Sequence, residues 1–362
     1  LLYNSLAHKT TWLRSDFQTS HQEEIPKDLQ FLFQRESLEP IEKIEWELPD
    51  PEEKIALRDL NHMVMERISK ELPSLIGGSA DLSASTKTYI KDGGDIFPEN
   101  KYLGKNIWFG VREHAMGAIL NGLALTGFRP YGSTFLAFSD YLKPALRMTS
   151  LMNLPVTYIF THDDITIGSD GPTHQPVEQL AMLRATPNLN VYRPCDMKEI
   201  IGCWHDILKK RKPSALIVSK NQVSTISTSN PMEVERGGYI IGKEQNVVHA
   251  ILIATGAEVS TALRLKEVLM EEAGIDLRVV SMVCMEHFLE QPKEYQEQVL
   301  IPYTKVFVLE YASSLCWHRF VYNDQYLFTV DDFGSSGSKE DVLKARHLDF
   351  DSIKEKMIHM IK

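Results

Sequence analysis

Cysteine is scarce in this chain, and it has neither a long basic run nor a long apolar one. Four cysteines, Cys195, Cys203, Cys284 and Cys316, are scattered over 362 residues without a Cys-x-x-Cys spacing. Neither a zinc knuckle nor a disulfide framework is indicated, and a reducing cytoplasm fits best. No apolar stretch approaches the length needed to span a bilayer, and the opening "LLYNSLAHKTTWL" lacks the basic-then-apolar layout of a signal peptide. Acidic side chains outnumber basic ones by 49 to 39, giving a net charge of -10, so nucleic acid and anionic membranes are poor partners. The one basic cluster, Lys209 to Lys212, follows a helical pattern and reads as a helix C-terminus complementing the dipole.

What is present is an ordinary globular composition, 43% apolar, in a length sufficient for about two domains. Residues 1–50 are polar, rich in charge and proline, and read as a linker or the tail of an upstream domain. From about residue 54, amphipathic helical patterns such as "EKIALRDLNHMVMERISKEL" alternate with short apolar runs such as "SLIGGSAD", "NIWFGV", "PVTYIFTH" and "SALIVSK". That alternation predicts α/β architecture with doubly wound, mostly parallel sheets. A Ser/Thr/Asn-rich stretch at 221–238 breaks the pattern. The expected division is a first domain over 51–230, a linker over 231–245 and a second α/β domain over 246–362, in which "VVHAILIATG", "DLRVVSM", "TKVFVLEY" and "YLFTVDDFG" read as strands.

Ligands of open α/β sheets bind beyond the carboxyl ends of the strands. In the first domain those ends carry Ser79, Asp81 and Ser85, then Arg112-Glu113-His114, then the run "THDDITIGSDGPTHQP", then Lys220. Glu113 is open to two readings. It is either an exposed capping acid before a buried Ala115, Ile119, Leu123 stripe, or a functional carboxylate. The run Thr161 to Pro176 fits a polar loop, a substrate-recognition loop or a metal site. Phe135, Phe138 and Tyr141 fit either core packing or a ring-stacking platform.

Taken together, "GGSADLSAS", "FGVREHAMGAILNG", "RPYGSTFLAFSDYLKPALR", "THDDITIGSDGPTHQPVEQLA" and "LNVYRPCD" occur in the order and with about the spacing of transketolase. "SALIVSKNQ", "ILIATGAEVS", "VVSM" and "DDFGSSG" extend the resemblance to the end of the chain. It covers the family's pyrimidine-binding and C-terminal domains. The resemblance implies thiamine diphosphate as coenzyme, with Glu113 hydrogen-bonding a nitrogen of the aminopyrimidine ring, Phe135 and Phe138 stacking against it, and Tyr141 and Asp81 close by. It also implies sugar phosphates as substrates, with phosphate contacts from Arg58, Ser85, His162 and Lys220, a hydroxyl contact from Asp170, and His174 beside the reacting carbons.

Two departures stand out. Lys220 occupies a position where the family usually has arginine, and Ser169 precedes Asp170 where it more often has glutamate. The family's Gly-Asp-Gly motif, which binds the diphosphate and Mg²⁺, is missing, so the metal ligands are expected in an absent N-terminal domain and none in this chain. The start, which is not methionine, reads as that of a fragment or of a split subunit, inactive alone and completed by a homodimer partner or an N-terminal half. Dihydroxyacetone synthase and deoxyxylulose phosphate synthase share the layout, and a non-catalytic partner module is the alternative of another class.

Overall fold

A computed structural model describes residues 37–96 and 104–362. Residues 1–36 of the expected linker lie outside the described residues. The remainder of that segment is not a free linker. Glu39–Glu42 forms a helical turn with proline at its start, and Ile41 and Ile44 are buried in the first domain's core.

The first domain is built on β2 (Leu75–Ser79), β3 (Asp95–Ile96), β4 (Asn106–Trp108), β5 (Arg129–Phe135), β6 (Thr157–Thr161), β7 (Asn190–Tyr192) and β8 (Ser214–Val218). They form one sheet in the order β3-β4-β2-β5-β6-β8-β7, with every neighbouring pair parallel. Every residue of β2, β5, β6 and β8 is buried, as expected of a sheet covered on both faces. Successive residues serve different cores. Tyr131, Ile159 and Leu216 pack with helices Leu57–Glu71 and Met197–Lys210, while Tyr158, Phe160 and Ile217 pack with helices Glu113–Thr126 and Ser139–Leu151. Lys209 and Lys210 end the Met197–Lys210 helix as expected, and Asp196 caps its start by accepting from Glu199 N.

A small antiparallel ribbon, β1 (Ile55–Ala56) with β9 (Gln222–Val223), ties the start of this domain to its end. It continues into a bond from Arg58 N to Ser219 O (3.0 Å), which seats Arg58 beside the carboxyl end of β8.

The second domain contains β10 (Tyr239–Gly242), β11 (Ala250–Ala254), β12 (Leu277–Ser281), β13 (Val306–Leu309) and β14 (Leu327–Phe328), in the order β10-β12-β11-β13-β14. Only β10 runs antiparallel, so the expected α/β class with mostly parallel sheets holds. Three expectations need correction. The stretch 231–245 is not all linker, because it supplies a 3₁₀ turn (Pro231–Arg236) and the edge strand β10. "NIWFGV" is strand only over Asn106–Trp108. "YLFTVDDFG" is strand only over Leu327–Phe328, after which Asp331 accepts from Ser313 Oγ and Ser314 N.

Among the described residues no helix is long and apolar enough to cross a membrane. The four cysteines are free thiols.

Candidate active site

Glu113 begins its helix just beyond the carboxyl end of β4, and the helix is rotated relative to the expected stripe. The buried residues are Glu113, Met116, Gly117, Leu120 and Ala124, whereas Ile119 is 47% exposed. Positions 113, 117, 120 and 124 make one helical row, so the acid is the first member of the buried face rather than an exposed cap. Gly117 explains the rotation. A Cβ there would stand 2.6 Å from Leu142 Cδ1 and 2.8 Å from Ala145 Cβ, so only glycine lets this face close on helix Ser139–Leu151. Arg112 occupies the N-cap position without a side-chain cap bond, leaving Glu113 in the first turn, where the helix dipole favours an anion.

Glu113 is 8% exposed and has neither a hydrogen bond nor an ion pair with any described residue. It opens onto a hollow of ≈ 660 Å³ lined by Val111, Arg112, His114, Ala115, Phe138 and Tyr141 as well. The side chain is largely enclosed, but its carboxylate faces the open hollow, where a donor from solvent or a ligand can reach it.

The aromatic wall comes from the turn after β5. Phe135 ends the strand, and a 3₁₀ turn (Leu136–Phe138) leads into helix Ser139–Leu151. Phe135 and Phe138 stack with ring centroids 5.7 Å apart at 21°, and Tyr141 follows at 6.3 Å from Phe138. Phe135 is buried as a core residue would be, but Phe138 is only partly buried and Tyr141 is 67% exposed. The last two are therefore surface-facing rings on a core anchor. Asp81 lies after β2 with φ 65°, exposed, and does not line the hollow.

The loop after β6 gathers the charged candidates. His162, at φ 57°, turns its Nε2 toward Arg58 Nη1 (3.4 Å), and its Nδ1 lies 2.8 Å from Thr161 Oγ1. Arginine can only donate, so Nε2 accepts and the hydrogen sits on Nδ1. Burial, then Arg58 and Lys220, lowers the pKa of His162 to about 3, with His174 acting in the same direction and Asp170 against it. Arg58 thus meets the imidazole directly, and the charges of Lys220, Asp170 and His174 act on it from nearby. Arg58 Nη1 also donates to the carbonyl of Ser85 (3.0 Å), bringing that segment in through its backbone. His174 stands edge-on to Phe138, with centroids 5.3 Å apart, and joins the loop to the aromatic wall. Asp170 and Lys220 are exposed.

The other two aspartates of the run serve the fold. Asp164 accepts from Thr166 N (2.6 Å) and from Asn221 Nδ2 (2.9 Å), which starts the 3₁₀ turn Ile165–Asp170, and Asp163 pairs with Arg193 (2.8 Å). Among the described residues no three His, Cys, Asp or Glu side chains come together to hold a metal ion.

Residues 53–225 match the family description "Transketolase, pyrimidine binding domain", and residues 237–350 match "Transketolase-like TK C-terminal domain". The chain belongs to the transketolase family. The transketolase of Geobacillus stearothermophilus is 44% identical over 296 residues, 80% of this chain and 44% of that protein. The Pichia stipitis transketolase solved with sedoheptulose 7-phosphate superposes with a TM-score of 0.86 at 32% identity, over 99% of this chain and 53% of the other. A split-gene transketolase chain, described as an inactive β4 tetramer, shares the fold with a TM-score of 0.66 at 21% identity, over 85% of this chain and 98% of its own. The chain spans about half the length of the curated relatives it matches.

Sequence reasoning missed Arg193 and Gln175, which hold the loop from outside the hollow. Gln175 stood inside the quoted run, but nothing in its spacing separated it from its polar neighbours.

Proposed function

We propose that this chain provides the pyrimidine-facing and substrate-phosphate half of a transketolase active site. The observation that carries the reading is the buried, unpartnered Glu113 carboxylate opening onto a hollow with an aromatic side. Thiamine diphosphate fits that arrangement, since a flat nitrogen heterocycle satisfies both the acid and the rings. When bound, the coenzyme supplies a nucleophilic carbon and an electron sink for cleaving a ketose beside its carbonyl.

Glu113 would hold a ring nitrogen of the coenzyme by a hydrogen bond and so favour one tautomer. Phe138, backed by Phe135, and Tyr141 would supply the apolar side, and Asp81 stands at the neighbouring strand end. Arg58 and Lys220 supply the positive charge for the phosphate of the sugar, with His162 seated against Arg58 through Nε2 and the Ser85 segment tied in through the same guanidinium. Asp170 receives a sugar hydroxyl, and His174, between the rings and the pocket, hydrogen-bonds the reacting carbonyl or hydroxyl oxygen.

The reaction is reversible transfer of a two-carbon ketol unit from xylulose 5-phosphate to ribose 5-phosphate or erythrose 4-phosphate, as in the pentose phosphate pathway. We assign the Mg²⁺ and diphosphate contacts to a separate diphosphate-binding domain, and the assembled enzyme to a homodimer. Four free thiols agree with a cytoplasmic setting.

The test is xylulose 5-phosphate cleavage with ribose 5-phosphate, thiamine diphosphate and Mg²⁺, using the chain alone and then with a diphosphate-binding half. Turnover only in the second mixture is expected. Absence of turnover in both would overturn the reading.

A further inference from the structure

The loop that carries His162, Asp170 and His174 is held by the second domain at both of its ends. At the start, Asp163 Oδ2 accepts from Arg193 Nε at 3.0 Å. The same guanidinium donates to Thr255 Oγ1 (2.7 Å), Thr255 O (3.0 Å) and Glu258 Oε1 (2.9 Å). Thr255 and Glu258 follow β11, at the edge of the second sheet where an open parallel sheet would place a ligand. Arg193, reaching over from the first domain, fills that crevice.

At the end of the loop, Gln175 is buried. Its Nε2 donates to Gly168 O inside the loop (3.1 Å) and to Ser335 O of the second domain (3.0 Å). Gly334 lies directly against it, and a Cβ there would fall 1.7 Å from Gln175 Oε1 and 3.0 Å from Gln175 Cβ. Helix Lys339–Ala345 packs on the 3₁₀ turn between the two anchors. None of these second-domain residues lines the hollow beside Glu113.

We propose that Gln175 and Arg193 are positioning residues through which the second domain fixes the spacing of His162, Asp170 and His174. In this arrangement the second domain sets affinity for the phosphorylated sugar and leaves the chemistry at Glu113 alone. The inference rests on the reading of those three residues as substrate contacts.

Arg193 is a poor first test, because removing it strands several buried acids and threatens folding. Gly334→Ala is the cleaner probe. It lies on a surface loop and acts by pushing the Gln175 amide, while Gln175→Ala removes that amide. In the assembled, full-length enzyme both variants are expected to raise KM for xylulose 5-phosphate about tenfold and, through the displaced His174, to lower kcat, with coenzyme affinity unchanged. An unchanged KM in both overturns the proposal. So does a parallel loss of coenzyme affinity, which marks general loosening.

A second readout does not depend on turnover. In the chain itself, carbon-labelled histidine NMR should show the His162 and His174 ring resonances moving in Gly334→Ala, together with weaker binding of inorganic phosphate. Spectra and phosphate binding identical to wild type overturn the positioning role even if the enzyme is not a transketolase.

Discussion

The imidazole of His162 and the ring of Phe135 lie with centroids 3.7 Å apart, tilted by 33°. One side of the aromatic wall therefore faces the Glu113 hollow, and the other carries the histidine that meets Arg58. The residues beside the Glu113 hollow and those around Arg58 share a single packed surface.

That burial gives His162 a pH signature. An unfolded imidazole takes its proton near 6.5, whereas the folded one, desolvated and near the charges of Arg58 and Lys220, does so only near 3. Between those values the unfolded chain binds more protons, so stability from this site is complete above pH 6.5 and is lost as the pH falls toward 3. Urea unfolding from pH 4 to 8 should show a shallower acid loss in His162→Gln than in wild type. Equal slopes would show that His162 is solvated.

The opposite sign is expected at Glu199. Burial, then Asp196, raises its pKa to about 7 from 4.5, while Tyr239, Ser281 and Cys195 N donate to it. The folded state then binds more protons between pH 4.5 and 7, so this group's contribution declines as the pH rises through that window. Glu199→Gln should lose less stability than wild type from pH 5 to 8, as read by denaturant midpoints.

Removing the acid that opens the hollow should abolish chemistry without harming the fold. Glu113→Ala and Glu113→Gln, in the assembled enzyme, should lower kcat by about 100-fold or more, a typical size for a lost proton-handling group. Because no described residue depends on Glu113 for a hydrogen bond, its thermal midpoint should hardly move. Retained turnover would refute the assignment.

The aromatic trio should separate by burial. Phe135→Ala should cost about 3–5 kcal/mol of stability, as for a buried ring. Tyr141→Ala should change stability by no more than about 0.5 kcal/mol, as at an exposed site, yet weaken thiamine diphosphate binding in the assembled enzyme. Calorimetric unfolding and coenzyme titration together check the pair.

Lys220 presents a point charge where a guanidinium would offer a planar fork. Lys220→Arg should therefore lower KM for the phosphorylated donor by about threefold to tenfold, with kcat unchanged. Initial-rate kinetics decide it, and an unchanged KM would place Lys220 outside the phosphate site.

The sequence by itself determined the α/β class, because near-continuous apolar strands such as Thr157–Thr161 must be covered on both faces and helical patterns alternate with them. It also determined which polar residues stand at strand ends, since that follows from local pattern alone. Only the tertiary structure decided which face of the Glu113 helix is buried. Periodicity allows either of two neighbouring rows, and the close approach of Gly117 to Leu142 selects the one containing the acid. Likewise, three aspartates within eight residues are alike in sequence. Arg193 and Asn221, 30 and 57 positions away, draw Asp163 and Asp164 into the fold, while Asp170 is left facing solvent near His162. Such choices depend on partners distant in the chain, which no local pattern encodes.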